Sequence, residues 1–146
     1  MELSRVLILD SSPEQFITLS ERGGEGRSFA IRIGTPEAIA IERRLRGESP
    51  PRPQTHELVE NVVGALGAEI VRIEIHSLEE GTYFANVVLL QGDREIPVDA
   101  RPSDAIALAV ARRLPIEVDE DVLAASADER PDVEPPVEPG EDADDE

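Results

Sequence analysis

The run "DARPSDAIALAVARR", Asp99 to Arg113, constrains the fold more than any other stretch of the chain. Ile106, Leu108 and Val110 alternate with alanines, which mimics a strand. Alanine is the best helix former and a poor strand former, so helix is the expected state. Pro102 suits a first turn and Asp104 the positive end of the helix dipole. Arg112 and Arg113 suit its negative end. A helix apolar on nearly every side has no face to give to water, so other elements must wrap it.

Those elements are readable upstream. Apolar segments at Leu3–Leu9, Phe16–Leu19 and Phe29–Ile33 read as strands, with a hairpin turn at Gly23–Gly26 between the second and third. "GTPEAIAIERRLRG" reads as a helix with Thr35 as N-cap, Pro36 at the first position and Glu37 on the dipole. Its expected inner face is Ala38, Ile41 and Leu45. The prolines of "ESPPRP" exclude helix and require an extended loop. Thr55 is then expected to cap a second helix, with Leu58, Val59, Val62, Val63 and Leu66 as its apolar stripe and Gly67 as its stop. At Val71, Ile73 and Ile75 the period changes to two. Gly81 and Gly92-Asp93 turn the chain into Thr82–Leu90 and then Glu95–Val98, a three-strand meander. Pro97 cannot donate to a ladder, which places the last strand at an edge. A short strand near Ile116–Val118 and a short helix through Val122–Ala125 end the body. The expected class is α+β: an antiparallel or mixed sheet with a three-strand meander and inserted helices, in one domain over residues 1–127.

Residues 128–146 differ in kind. They carry ten acids against one arginine, with four prolines and few apolar anchors, so they are expected to form a disordered acidic tail. The whole chain has a formal net charge of −18, and all fourteen of its basic residues are arginine. That balance repels nucleic acid at long range, so phosphate contact needs a local arginine cluster. Without cysteine there is no disulfide framework and no thiolate site. No window approaches the roughly 18 apolar residues of a membrane span. The N-terminal apolar run is too short for a signal peptide. No membrane association is expected, and cytoplasm is the default location.

Two segments carry a resemblance: "PPRPQTHELVENVVGALGA", Pro50 to Ala68, and "VDARPSDAIALAVARRLPIEV", Val98 to Val118. With "IRIGTPEAIAI" and "SLEEGTYFA", in this order and at similar spacing, they resemble the bifunctional nuclease (BFN) domain over roughly residues 1–126. "GTYFA" reverses the aromatic order expected of the family, and Gln54 stands where an apolar residue is more usual. The resemblance implies cleavage of both DNA and RNA, without implying a catalytic mechanism.

The same two segments hold the candidate chemistry. Asp99, Arg101, Ser103 and Asp104 have a structural reading: Ser103 or Asp99 caps the helix, Asp104 favours its dipole, and Arg101 pairs with a carboxylate. They also have a functional one. Arg101, Ser103 and the helix's free amides would bind phosphate, while Asp99 and Asp104 would hold Mg²⁺ or Mn²⁺ through hard oxygen ligands. In "RPQTHEL", His56 is either a surface histidine or a general acid or base assisted by Glu57, with Arg52 on phosphate. His56 and Glu57 are adjacent and point about 100° apart on a helix. Tyr83 and Phe84 are the only neighbouring aromatics, and one ring is expected to enter the core. Two histidines and no cysteine argue against structural zinc. The two functional classes are therefore a metal-dependent nuclease acting on nucleic acid and a non-catalytic module holding an anion or a partner's carboxylate with the same arginines. The apolar content of so few elements, together with an edge strand, points to a homodimer or higher homo-oligomer.

Overall fold

The run at Asp99–Arg113 does become the central helix. In the computed structural model, which describes residues 2–7, 14–22 and 26–129, this helix spans Pro102–Arg112. Ser103 and every residue from Ala105 to Ala109 are buried in it. The N-cap position falls on Arg101, whose backbone is extended and whose side chain makes no cap hydrogen bond. Neither Asp99 nor Ser103 is the cap; Pro102 at the first position sets the helical φ instead. The helix ends at Arg113 in the left-handed conformation (φ 56°), with the Leu114 N–H returning to the Ala109 carbonyl at 3.0 Å.

In chain order the elements are β1 (Glu2–Leu7), β2 (Glu14–Ser20), β3 (Ser28–Gly34), α1 (Thr35–Leu45), α2 (Thr55–Ala65), β4 (Glu69–Glu79), β5 (Thr82–Gln91), β6 (Arg94–Ala100), α3 (Pro102–Arg112), β7 (Ile116–Val118) and α4 (Glu120–Glu129). They form two sheets, β1-β2-β3 and β6-β5-β4-β7. All pairings are antiparallel except β4 with β7. The class is α+β, as expected, and β4-β5-β6 is the expected meander with β6 at its edge. The turn at Gly23–Gly26 falls largely outside the described residues, as do residues 130–146 of the tail. The boundary placed at 127 lies inside α4.

One apolar cluster joins the two sheets. Ile17 and Leu19 of β2, Phe29 and Ile31 of β3, Ile73 and Ile75 of β4 and Val87 of β5 close around α3. Ile106 is fully buried and Leu108 is 4% exposed. Burying such side chains stabilises by roughly 1.5–3 kcal/mol each.

Both α1 and α2 depart from their expected seating. Gly34, not Thr35, is the N-cap of α1, and Pro36 sits one position further in. Ala38 and Ile41 are buried, but the third inward position is Arg44 at 5% exposure while Leu45 is 45% exposed. Gln54, not Thr55, caps α2. No α2 residue is buried, and Leu58, Val62 and Leu66 are about half exposed or more. Only Val63 packs partly against the core.

Candidate functional site

Three helices bring their ends together around the Asp104 carboxylate. Asp104 is the third residue of α3, so its side chain projects from the first turn beside amides that have no intrahelical acceptor. One carboxylate oxygen, Oδ1, accepts from His56 Nε2 at 3.0 Å, across 48 residues of sequence. The other, Oδ2, accepts from Arg101 Nε at 3.0 Å. Arg101 Nη1 then donates to Glu37 Oε2 in the first turn of α1 at 3.1 Å. The result is a hydrogen-bonded chain, His56–Asp104–Arg101–Glu37, over the N-termini of α1, α2 and α3.

The electrostatics follow from this chain. Burial alone would raise the Asp104 carboxyl. The hydrogen bonds from Arg101 and His56, with their charges, outweigh it and hold Asp104 below its ordinary value. An ionised Asp104 fixes the proton of His56 on Nε2 and leaves Nδ1 with no partner among the described residues. The Asp104 hydrogen bond raises the Arg101 guanidinium further above its usual value. The Arg101 side chain is nonetheless 62% exposed, and its Nη2 makes no hydrogen bond with the described residues.

Arg101, Asp104 and His56 thus meet, and Ser103 lies buried beside them. Three other candidates do not join. Glu57, next to His56, turns away as helix geometry requires. It accepts from the Gln54 N–H at 3.1 Å and from Arg44 Nη1 at 2.7 Å. Burial opposes its ionisation, but those backbone amides and the charges of Arg44 and Arg43 keep its carboxyl below the usual range. Arg52 is exposed in its loop with no ion pair among the described residues. Asp99 belongs to the far face of the sheet. It pairs in register with Asn86, which pairs with Glu74, whereas the neighbouring pair Ala100–Ala85, and Val87 beyond it, face the core. Alternate strand residues face opposite ways, so Asp99 and Asp104 are not a ligand pair. Asp104 already accepts two cationic donors, and among the described residues no three histidine, aspartate or glutamate side chains converge on a cation position. This donor set does not fit a preformed Mg²⁺ or Mn²⁺ centre.

Glu37 escaped sequence reasoning because a first-turn acid reads as a dipole partner and nothing more. Arg44 escaped because arginine is counted as surface; the available signal was its three-residue spacing from Ile41. Arg44 Nε donates to the Ala107 carbonyl at 2.6 Å, and its guanidinium pairs with both Glu57 and Glu60 of α2. Among the described residues, the His76 side chain hydrogen-bonds with Ser77 Oγ at 2.8 Å, apart from the cluster.

Comparison with known proteins adds independent information. Residues 17–130 match the bifunctional nuclease domain. An uncharacterized protein of Mycobacterium tuberculosis is 43% identical over 108 residues, covering 74% of this chain and 63% of that protein. Bifunctional nuclease 1 of Oryza sativa subsp. japonica is 30% identical over 118 residues, covering 78% of this chain and 36% of the rice protein. Bifunctional nuclease 2 of Arabidopsis thaliana is 27% identical over 110 residues, covering 73% and 33%. The chain therefore spans under two thirds of these relatives' length. Among the described residues, no helix is long and apolar enough to cross a membrane.

Proposed function

We propose, on the premise that this chain belongs to the bifunctional nuclease domain family, that it hydrolyses phosphodiester bonds of DNA and RNA at the N-terminal end of α3. The observation that carries this reading is the His56–Asp104 hydrogen bond with Arg101 on the same carboxylate. Arg101 Nη2 and the first-turn amides hold the non-bridging phosphate oxygens. Asp104 holds the Nε2–H side of the imidazole and orients the ring, the part an aspartate plays beside a histidine base. His56 Nδ1 takes a proton from the attacking water. The water oxygen forms the new P–O bond, the bond to the leaving alkoxide breaks, and solvent protonates the leaving oxygen.

A second reading has its own support. Arg101 is already tied to two carboxylates, Glu37 and Asp104, an arrangement equally suited to a module that binds anions without turnover. One experiment separates the two. Wild type, His56→Ala and Asp104→Ala are purified in parallel and assayed on fluorogenic DNA and RNA oligonucleotides with Mg²⁺, Mn²⁺ or EDTA. Turnover lost in both variants supports the nuclease; its persistence in both exposes a contaminant. Saturable oligonucleotide binding without turnover supports the module. The EDTA arm reads whether Mg²⁺ or Mn²⁺ is needed at all.

A further inference from the structure

The seam between the two sheets opens on one side into a cleft of about 730 Å³. Its walls are Arg32 and Ile33 on β3, Thr82 and Tyr83 at the start of β5, and Arg101 and Ser103 at the head of α3. Ser103 decides what the cleft is for. It is only 6% exposed, yet its hydroxyl makes no hydrogen bond with any described residue and opens onto the cleft. A hydroxyl with no protein partner at the wall of a cleft is free to donate to, or accept from, a bound ligand. Beside it are the acceptor-free amides of Ser103 and Asp104, and Arg101 stands at the mouth. Hydroxyl, amides and guanidinium together form a donor cluster with the chemistry of a phosphate site. Away from that end the wall turns apolar: the Tyr83 ring borders the cleft and packs on Phe29 with centroids 5.5 Å apart. The volume lies within the ~300–1,000 Å³ of small-molecule sites. Glu37 also lines the cleft, and its carboxylate repels any second phosphate.

We infer that this cleft binds one nucleoside monophosphate unit, its phosphate on the Ser103 hydroxyl, the first-turn amides and Arg101, its sugar and base along Ile33, Thr82 and Tyr83. The choice of a nucleotide over another phosphate ester rests on the nuclease reading. The monophosphate limit rests on Glu37.

Tyr83 is the chain's only tyrosine, and there is no tryptophan. Its emission therefore reports this cleft and nothing else. Inorganic phosphate and ribose 5-phosphate, which do not absorb where tyrosine does, are titrated against that emission. Adenosine, AMP and ATP are titrated by calorimetry, with the Tyr83 ring protons followed by NMR. The expected results are a saturable emission change, AMP binding tighter than phosphate or adenosine, and ATP binding no tighter than AMP. Ser103→Ala, which suits a buried helical position, weakens AMP binding about tenfold through loss of one charge-assisted hydrogen bond. AMP affinity unchanged in Ser103→Ala, or Tyr83 resonances unmoved at AMP saturation, overturns the inference. The two readings fail separately. Cleavage by a protein whose Tyr83 ignores AMP removes the cleft and leaves the nuclease. AMP binding reported by Tyr83 without cleavage removes the nuclease and leaves the cleft.

Discussion

At the residue scale, Asp104 is the node, and Arg101 is the group whose substitution tells most. Arg101 reaches Asp104 through Nε and Glu37 through Nη1 at once. A lysine ammonium keeps the charge but lacks this planar fork and cannot present a third nitrogen to phosphate. Arg101→Lys is therefore expected to weaken cleavage or phosphate binding about tenfold or more, the cost of one charge-assisted hydrogen bond. The side chain is 62% exposed, and exposed ion pairs contribute only about 0–1 kcal/mol, so the thermal midpoint should barely move. Unchanged activity with a clearly lowered midpoint would make Arg101 a structural partner. Gly34→Ala is the converse variant. A methyl there collides with the Glu37 carboxylate and drives it off Arg101, so phosphate affinity should rise. That Arg101 pairs with a carboxylate was legible in the sequence, and the fold supplies two, Asp104 three residues on and Glu37 on α1. The His56–Asp104 bond was not, because only the tertiary fold closes its 48-residue span.

At the element scale, α2 is the helix whose seating the sequence hid. Its ends were readable, since Thr55 and Gly67 bracket a regular apolar stripe. The stripe looked like a buried face, yet no α2 residue is buried. The helix is tied down by charge instead, with Glu57 and Glu60 on the buried Arg44 and His56 on Asp104. Arg44→Met should cost about 3–5 kcal/mol, because it leaves two carboxylates without their buried partner. A loss below 1 kcal/mol in urea denaturation would show that α2 is held otherwise. Acid acts on the same ties. Asp104 and Glu57 both have carboxyls depressed in the folded state. The unfolded chain then binds protons more readily, so stability rises with pH across this window. The contribution is complete above the unfolded values near 4 and is lost as pH falls through the lower folded values. Urea midpoints measured from pH 6 downward should fall below about pH 4, and less steeply in Asp104→Asn. Equal slopes in both proteins would place the acid-sensitive groups elsewhere. For α3 the sequence was a better guide: alanine-rich, apolar on nearly every side and opened by proline at its first position, it could only be central.

At the scale of the whole molecule, the open question is what meets the apolar surface that α2 leaves in water. Leu58, Val62 and Leu66 recur every four residues on one stripe and are 55%, 48% and 68% exposed. Scattered exposed apolar residues are ordinary; a continuous stripe on one helix marks an interface. The edge strand β6 offers a second surface, with Val98 at 43% exposure. Pro97 lies in the middle of that edge and removes a donor from its ladder, which disfavours joining two sheets edge to edge. Association through α2 is therefore the expected mode, and a twofold pairing of α2 with its copy would close the assembly. Charge opposes it. Each chain carries −18, so two copies repel until salt screens them, with a Debye length of about 8 Å at 0.15 M. Light scattering at micromolar protein in about 0.15 M salt should give twice the 15.9 kDa chain mass. Lower salt should shift the balance toward monomer. Leu58→Glu with Val62→Glu should give monomer at every salt concentration with the wild-type circular dichroism spectrum, because both side chains face solvent in the isolated chain. A mass of 15.9 kDa for wild type under these conditions sinks the dimer. A dimer that survives the double variant sinks its placement on α2 and returns the interface to β6.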